Sequence, residues 1–577
     1  MNYQLIAPRL PELSVVEQVF ENRGIKKENI KHYLNTSYDD LYSPTLLDNI
    51  QDGIKILIKH INNQDKTFIQ VDSDCDGYTS SAFLINYLNQ RFPGFVQNCI
   101  TYRVHDNKSH GLILETIPKD VKLVIAPDSS SNDYEVHKAL AERGCDVLVL
   151  DHHIADHISQ YACIINNQMC DYPNKSLSGV GIVYKFCSYL DSLIADEAIA
   201  DEFLDLAAVG IIADIMDLRD YETRWICEYG MSHIRNPFIK EIVKKMDFKI
   251  QGSLNPFKVS FYIAPFVNAM NRSGTLEERI LLFESMLEYR AYELIPSTKR
   301  GAKGTLETRV EQAARTCTNV KNRQGKSRDA NTEMIEDIIV DNKLYHHTLI
   351  AVKLTKEQAA DRNLTGLIAT QIANKYGHPT AILNETDHDG EKWWEGSMRG
   401  APHIEITDTR QVLLDTGLVE YCEGHANAAG IGIKDNNFND LINLLDEQYD
   451  PEAFKPVWNI DAEIPIDQAE DNVLALARLA DYWGFGIEEP HVAITKVKIT
   501  KDNCQMMKSN TFKITCGDLS FIKFKMPDEE YEALIPEFGY KLLTIVGTCQ
   551  INDWGGYEYP QIVIEDYNID KVVKWDF

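Results

Sequence analysis

Asp72, Asp74 and Asp76 stand in the run Asp72-Ser73-Asp74-Cys75-Asp76-Gly77. Asp128 follows, and Asp151-His152-His153 closes the series within about 80 residues. Hard carboxylate oxygens with an imidazole are the donor set of Mg²⁺ or Mn²⁺, and Mn²⁺ is the better match to histidine. Carboxylates held this close repel one another unless cations neutralise them. Two such ions about 4 Å apart can activate a water and stabilise the leaving oxygen of an in-line displacement at phosphorus. The chemistry to which these residue types point is metal-assisted phosphodiester hydrolysis. Taken alone, residues 72–77 could equally be a calcium-type or solvated turn; the other two clusters decide against that. Asp214 is the remaining candidate. Residues 207–216 read as an apolar helix in which an unpaired carboxylate is costly to bury, and Asp217 is its competitor.

The clusters follow three apolar, strand-like runs at 67–71, 121–126 and 146–150. In an open α/β sheet, ligands collect at the carboxyl ends of parallel strands. Asp72, Asp74 and Asp76 alternate, so in extended backbone they would face one way. Helical patterns at 78–88, 137–143, 179–190 and 203–215 alternate with the strands, as in a parallel sheet covered by helices. Residues 1–60 read as helical, with apolar spacing at 15–20 and 50–58. Residues 275–320 are helix-rich, and 321–328 form a basic segment that reads as a turn. A strand at 349–352, a helix at 364–375 and a strand at 380–383 then resume α/β alternation. After Glu489-Pro490 the chain turns β-rich, with runs at 492–499, 512–515, 521–524 and 542–546, which suit a small barrel.

A chain of 577 residues is too long for one core. Its hydrophobic content of 44% and charged content of 25% are those of a soluble globular protein. No apolar stretch approaches the roughly 20 residues needed to span a bilayer. The first residues lack a basic-then-apolar signal layout, and the twelve cysteines show neither Cys-x-x-Cys nor zinc spacing. The expectation is a cytoplasmic protein with reduced thiols and no membrane partner. The net charge of −29 argues only against broad, non-specific duplex binding through a basic face. It leaves open an enzyme that threads a strand onto metal ions through a local cationic channel.

With Ala213-Asp214, the acidic clusters resemble the four motifs of the DHH phosphoesterases. The rest of the chain is similar to the RecJ-like single-strand-specific exonucleases of that family. The segment from Ile263-Ala264-Pro265 through Asn271-Arg272 resembles the family's stretch after the fourth motif. Gly396-Ser397-Met398-Arg399 and Gly424-His425-Ala426-Asn427-Ala428-Ala429-Gly430 resemble the signatures of the DHH-associated domain. Tyr482-Trp483-Gly484-Phe485-Gly486 opens, and Asn552-Asp553-Trp554-Gly555-Gly556 comes late in, what looks like the family's OB-fold. The resemblance implies an α/β multidomain protein. Its parts would be a helical segment (1–60), a parallel-sheet DHH domain (61–230), connecting helices (231–340), a smaller α/β DHH-associated domain (341–455), and a linker with an OB-like β-barrel (456–577).

Residue by residue, the resemblance implies that Asp74 binds a first ion and Asp128 bridges, while Asp76, His152 and Asp214 hold a second. His153 would lie beside the scissile phosphate, and Asp72 would support the cluster. Arg272, Ser397 and Arg399 would receive a terminal 5′ phosphate, an Arg fork being suited to a pair of phosphate oxygens. His425 would face the active site. The implied activity is 5′→3′ hydrolysis of single-stranded DNA to mononucleotides with Mn²⁺ or Mg²⁺, in repair, recombination or replication. A single-strand-binding protein or a helicase is the implied partner.

Some positions depart from the family. Gln70 stands where a histidine is usual, Glu423 where a glycine is, and the stretch from Tyr102 to Leu112, with Arg103, His105 and Lys108, is altered. In the barrel, Lys496, Lys498, Lys513, Lys523 and Lys525 with Phe521, Phe524 and Trp554 could guide a strand or could be core and solvated face. Two rival functions remain. One is a DHH phosphodiesterase on short oligonucleotides or cyclic dinucleotides, which the β-rich C-terminal region disfavours. The other is a metal-free, single-strand-binding scaffold, which the complete acidic set disfavours.

Overall fold

A computed structural model describes residues 1–106, 109–194, 197–250, 252–302, 304–454, 456–554 and 556–574. Two compact units make up the chain. One holds residues 23–322 with 479–489; the other holds 1–22, 323–478 and 490–577.

The unit of residues 23–322 is built on five parallel strands. Their order is Ile100–Val104, Thr67–Val71, Leu123–Pro127, Asp146–Asp151, Cys163–Asn166. Thr67–Val71 and Leu123–Pro127 are buried along their whole length, because helices cover both faces and the strands therefore need near-continuous apolar sequence. Chain order reverses around Thr67–Val71, since the second strand adds on one side of it and the third on the other. Right-handed crossovers then leave on opposite faces, and a crevice opens at the carboxyl ends of the first and third strands. Asp72 and Asp128 each follow one of those two strands.

Helices Cys75–Arg91, Gly179–Ile194 and Leu204–Ala213 pack on one another, and Tyr221–Ser232 packs on Leu204–Ala213. Apart from Asp205, Leu204–Ala213 is apolar all round and its residues 204–212 are buried, as expected of a helix surrounded by others. It is shorter than its sequence pattern. Residues 199–203 form a 3₁₀ turn, and Asp214 is the C-cap, outside the helix body.

In the other unit, five strands run in the order Tyr421–His425, Ala428–Lys434, Glu391–Arg399, Thr380–His388, Ile350–Leu354. Only the last pair is parallel. Helix Arg362–Tyr376 packs on Glu391–Arg399 and Thr380–His388. The β-rich C-terminal region forms one seven-stranded sheet, ordered Ala462–Pro465, His491–Ile499, Tyr540–Trp554, Tyr557–Val573, Leu519–Lys523, Thr511–Cys516, Cys504–Met507. Register shifts between Leu542 and Leu543, and between Val546 and Gly547, bend its two longest strands, the usual work of a bulge.

Two sequence expectations need correcting. Residues 321–328 are not a turn; they lie inside helix Arg309–Asp341. Lys, Arg and Gln are good helix formers, and Gly325 costs only about 1 kcal/mol there. The N-terminal residues are not wholly helical either. Asn2–Leu5 is a strand paired in parallel with Val457–Ile460, ahead of helices Val15–Asn22 and Ile50–Asn63.

Candidate metal centre

Asp72, Asp74 and Asp76 converge by a different route from the alternation read in the sequence. Asp72 follows the strand Thr67–Val71, Asp74 is the N-cap of Cys75–Arg91, and Asp76 lies in that helix's first turn. The Asp74 carboxylate accepts the Gly77 backbone N–H at 2.9 Å, a standard way to satisfy a free helix donor. Gly77 is required here, because a Cβ at this position would fall 2.6 Å from the Asp72 Cβ.

Each carboxylate has its own support. Asp72 accepts the Gly111 N–H at 3.0 Å and is 2.6 Å from His110 Nδ1. Asp76 accepts from Ser178 Oγ at 2.9 Å, Gly179 N at 2.6 Å and Val180 N at 3.2 Å. It thereby caps helix Gly179–Ile194, whose positive end favours a carboxylate. Asp128 is different. It is buried, with φ of +63°, and among the described residues neither of its carboxylate oxygens has a hydrogen-bond partner.

The histidines divide the work. His152 Nε2 lies 3.3 Å from Asp128 Oδ1 and 3.3 Å from Asp214 Oδ2, yet among the described residues this nitrogen has no hydrogen-bond partner. Burial lowers the His152 pKa, which keeps the ring neutral, the form in which imidazole ligates. His153 turns the other way. Its Nδ1 is 2.7 Å from Asp151 Oδ1, and in the metal-free protein this bond lifts its pKa to about 9. Asp151 is fully buried, also accepts from Ser131 N at 3.0 Å, and has its pKa lowered to about 2, chiefly by the His153 bond working against burial.

Three groups bring ligand atoms within 4.8 Å of one another: Asp72, Asp74 and Asp128; Asp76, His152 and Asp214; and Asp128, His152 and His153. Burial and mutual repulsion raise the pKa of Asp74, of Asp128 well above the carboxylate range, and of Asp214 to about 8. Asp76 is raised by burial. Leaving a buried polar group unbonded costs a few kcal/mol, and an ionised one more. The orphaned Asp128 oxygens and His152 Nε2, aimed into a ring of further carboxylates, are what a divalent cation would satisfy. Oxygen donors with one nitrogen fit Mn²⁺ or Mg²⁺. Asp217 is outside this set: it pairs with Arg219 at 2.9 Å.

A DHH family N-terminal domain model matches residues 66–211, and a RecJ OB domain model matches 460–566. A Bacillus subtilis protein named as an SPβ prophage-derived single-strand DNA-specific exonuclease, YorK, is 35% identical over 576 residues, covering 99% of this chain and 98% of that one. The chain belongs to the RecJ-type DHH family. The B. subtilis single-stranded-DNA-specific exonuclease RecJ is 26% identical, across 97% of this chain and 69% of its own length. Thermus thermophilus RecJ, solved in complex with Mn²⁺, shares the fold with a TM-score of 0.71 at 16% identity, over 96% of this chain and 76% of that one.

The other residues singled out in this DHH chain lie as follows. Arg272 is on helix Ala264–Ser273, half-buried, and burial lowers its pKa. Among the described residues it has neither hydrogen bond nor ion pair, and the neighbouring Asn271 amide is buried and unsatisfied. Ser397 and Arg399 are on strand Glu391–Arg399. Ser397 Oγ is 2.9 Å from Thr365 Oγ1 in the first turn of helix Arg362–Tyr376. A Cβ on Gly366 would fall 2.4 Å from an Arg399 guanidinium nitrogen, so a glycine makes room for that side chain beside the helix N-terminus. His425 is exposed at the end of strand Tyr421–His425.

Gln70 is buried and donates to Arg103 O at 3.0 Å and Val71 O at 3.1 Å. Arg103 pairs with Asp106 at 3.0 Å, and His105 is buried 3.8 Å from Asp72. In the C-terminal sheet Phe521 is core and Phe524 exposed, while Lys523 pairs with Glu530. Lys108, Gly555 and the Trp554 side chain lie outside the described residues. Asp151 and His110 are the site residues to which sequence reasoning gave no role. Asp151 was visible only as part of its motif, and His110 carried no local signal.

Proposed function

We propose that this RecJ-type chain is a metal-dependent exonuclease that degrades single-stranded DNA from the 5′ end to mononucleotides. The observation that carries the reading is Asp128, a buried carboxylate with two unsatisfied oxygens that belongs to both a carboxylate triad and a histidine-containing group. The single-strand-specific activity named for YorK and RecJ, and the Mn²⁺ bound by T. thermophilus RecJ, support it.

Asp72, Asp74 and Asp128 would hold one ion, and Asp76, His152 and Asp214 a second, with Asp128 shared. Bound divalent cations supply charge stabilisation at phosphorus and a readily deprotonated water. His153, fixed through Nδ1 on Asp151, whose bond raises its pKa, would donate to a non-bridging phosphate oxygen as charge grows there. Asp151 fixes the ring and its charge; it does not touch substrate. Arg272, a guanidinium without a counter-ion among the described residues, is suited to a 5′-terminal phosphate. Within its own unit, Arg399 with Ser397 at a helix N-terminus is likewise an anion-binding arrangement. His425 is assigned as a further substrate contact.

The test is digestion of a 5′-phosphorylated, internally labelled single strand and its duplex with Mn²⁺, Mg²⁺ or EDTA, beside Asp128→Asn. Metal-dependent loss of the single strand from its 5′ end, abolished by the substitution, is expected. Retained single-strand binding without digestion by either ion would instead favour the scaffold reading.

A further inference from the structure

Outside the metal centre, the unit of residues 23–322 carries a surface that no step above uses. Residues 237–262 hold five lysines against two acidic residues, in a chain whose net charge is −29. The same stretch exposes large aromatics: Phe248 is 86%, Phe261 57% and Phe257 48% exposed. Soluble proteins seldom leave three phenylalanines in water within 14 residues unless the surface has a partner.

The aromatics and cations form one patch. Phe257 and Phe261, one turn apart on helix Pro256–Tyr262, stack with ring centroids 4.4 Å apart. Phe257 meets Tyr262 edge-on at 6.3 Å. Lys249 Nζ lies 5.6 Å from the centre of the Tyr262 ring. Lys321 is close enough to Lys249 for that charge to lower its pKa further, after burial, and it sits over Phe266. Two neighbouring cations on a lysine-rich face suit a polyanion. Helix Pro256–Tyr262 also packs on Leu204–Ala213, which ends at the metal-centre residue Asp214.

We infer that Phe257, Phe261 and Tyr262, with Lys249 and Lys321, are a stacking platform for single-stranded nucleic acid, separate from the metal centre and the OB domain. Bases would lie on the exposed Phe257 and Phe261 rings while the lysines contact phosphates. Such pairing of aromatic faces with local positive charge is sequence-tolerant. A duplex, whose bases are already stacked, has nothing to offer the rings. An apolar protein surface would fit the phenylalanines but would leave the lysines without a counterpart. The inference rests on the single-strand reading above, and the experiment separates the two.

Fluorescence anisotropy of labelled (dT)20 and (dT)5 is measured in EDTA with the full-length protein, Phe257→Ala/Phe261→Ala, and Lys249→Ala/Lys321→Ala. Both phenylalanines are exposed, so their truncation spares the core; circular dichroism melts check that each variant is folded. Loss of stacking is expected to weaken (dT)20 binding by about tenfold or more, and by more than it weakens (dT)5. Removing the two lysines is expected to reduce the slope of log K against log salt by about 1.4. Unchanged (dT)20 affinity and salt slope in both variants, with intact binding by the parent, overturns the platform. A parent that neither binds nor digests any single strand sinks the functional proposal itself. A parent that is dimeric by light scattering, and monomeric after the phenylalanine substitutions with DNA affinity unaltered, makes the patch a contact between two copies and also overturns the platform.

Discussion

Cation binding at this centre should expel protons, and the amount can be worked out from one residue. Burial first, then the charges of Asp76 and Asp74, raise the pKa of Asp214 to about 8 in the metal-free protein. At pH 7 such a group is about nine-tenths protonated, yet it must bind as a carboxylate. Asp214 alone therefore releases about 0.9 proton per site filled at pH 7 and about 0.5 at pH 8. The Mn²⁺ dissociation constant should tighten close to tenfold from pH 6 to pH 7 and level off above about pH 8. Asp74, Asp76 and Asp128, also raised, can only add to this.

The assay is isothermal titration with MnCl₂ in buffers of different ionisation enthalpy, repeated with Asp214→Asn, which should lose both affinity and most of the pH slope. The stability of the apoprotein gives an independent sign. A carboxyl raised in the folded state contributes stability that is complete below its unfolded pKa, near 4, and is lost as pH rises through about 8. In EDTA the melting temperature should fall over that window, and Mn²⁺ should offset the fall. A Mn²⁺ affinity independent of pH between 6 and 8, with no proton release, would refute the reasoning.

Three other outcomes are expected. In Gly210→Ala the new Cβ would lie 2.4 Å from Asp76 Oδ1 and from Thr79 Oγ1. The overpacked variant should lose about 1–3 kcal/mol in denaturant melts and bind Mn²⁺ more weakly. Asp151→Asn should let the His153 pKa fall from about 9 toward its ordinary value, visible by NMR titration, and cut turnover by about 10²–10³-fold. The Asp151–His153 pair contributes fully between about pH 4 and pH 6.5. That contribution is lost as pH rises through about 9 or falls through about 2, so the parent–variant gap in melting temperature should close at high pH. Arg399→Lys keeps the charge but not the fork; it should lower the preference for a 5′-phosphorylated over a 5′-hydroxyl strand by about tenfold, and equal preference in the parent would refute the assignment.

The strand ends were legible because strand, turn residue and acidic cluster are local features, and Asp72, Asp128 and Asp151 sit where apolar runs stop. The means of convergence was not. Asp74 and Asp76 reach the site through a helix cap and a helix turn, which the same alternating spacing hides. Asp214 was found but misplaced, because an apolar run of ten residues gives no sign of the residue at which the helix stops. The partners of Asp72 and Asp76 lie 38 to 104 residues away and leave no trace in the local pattern. The exposure of Phe257 and Phe261 is likewise set by tertiary packing rather than by local sequence.

Strand Asn2–Leu5 pairs with Val457–Ile460, and the Asn568 side chain donates to the Met1 carbonyl across 567 residues. At roughly 5–20 residues per second of synthesis, that contact becomes available only about 30–110 s after the first residues emerge. Meanwhile residues 23–322, which form most of the other unit, are already outside the ribosome. Strand Asn2–Leu5 therefore has its partner strand only after residues 23–322 have been made. Its shortness, four residues, limits the opportunity for it to pair with a neighbouring chain first.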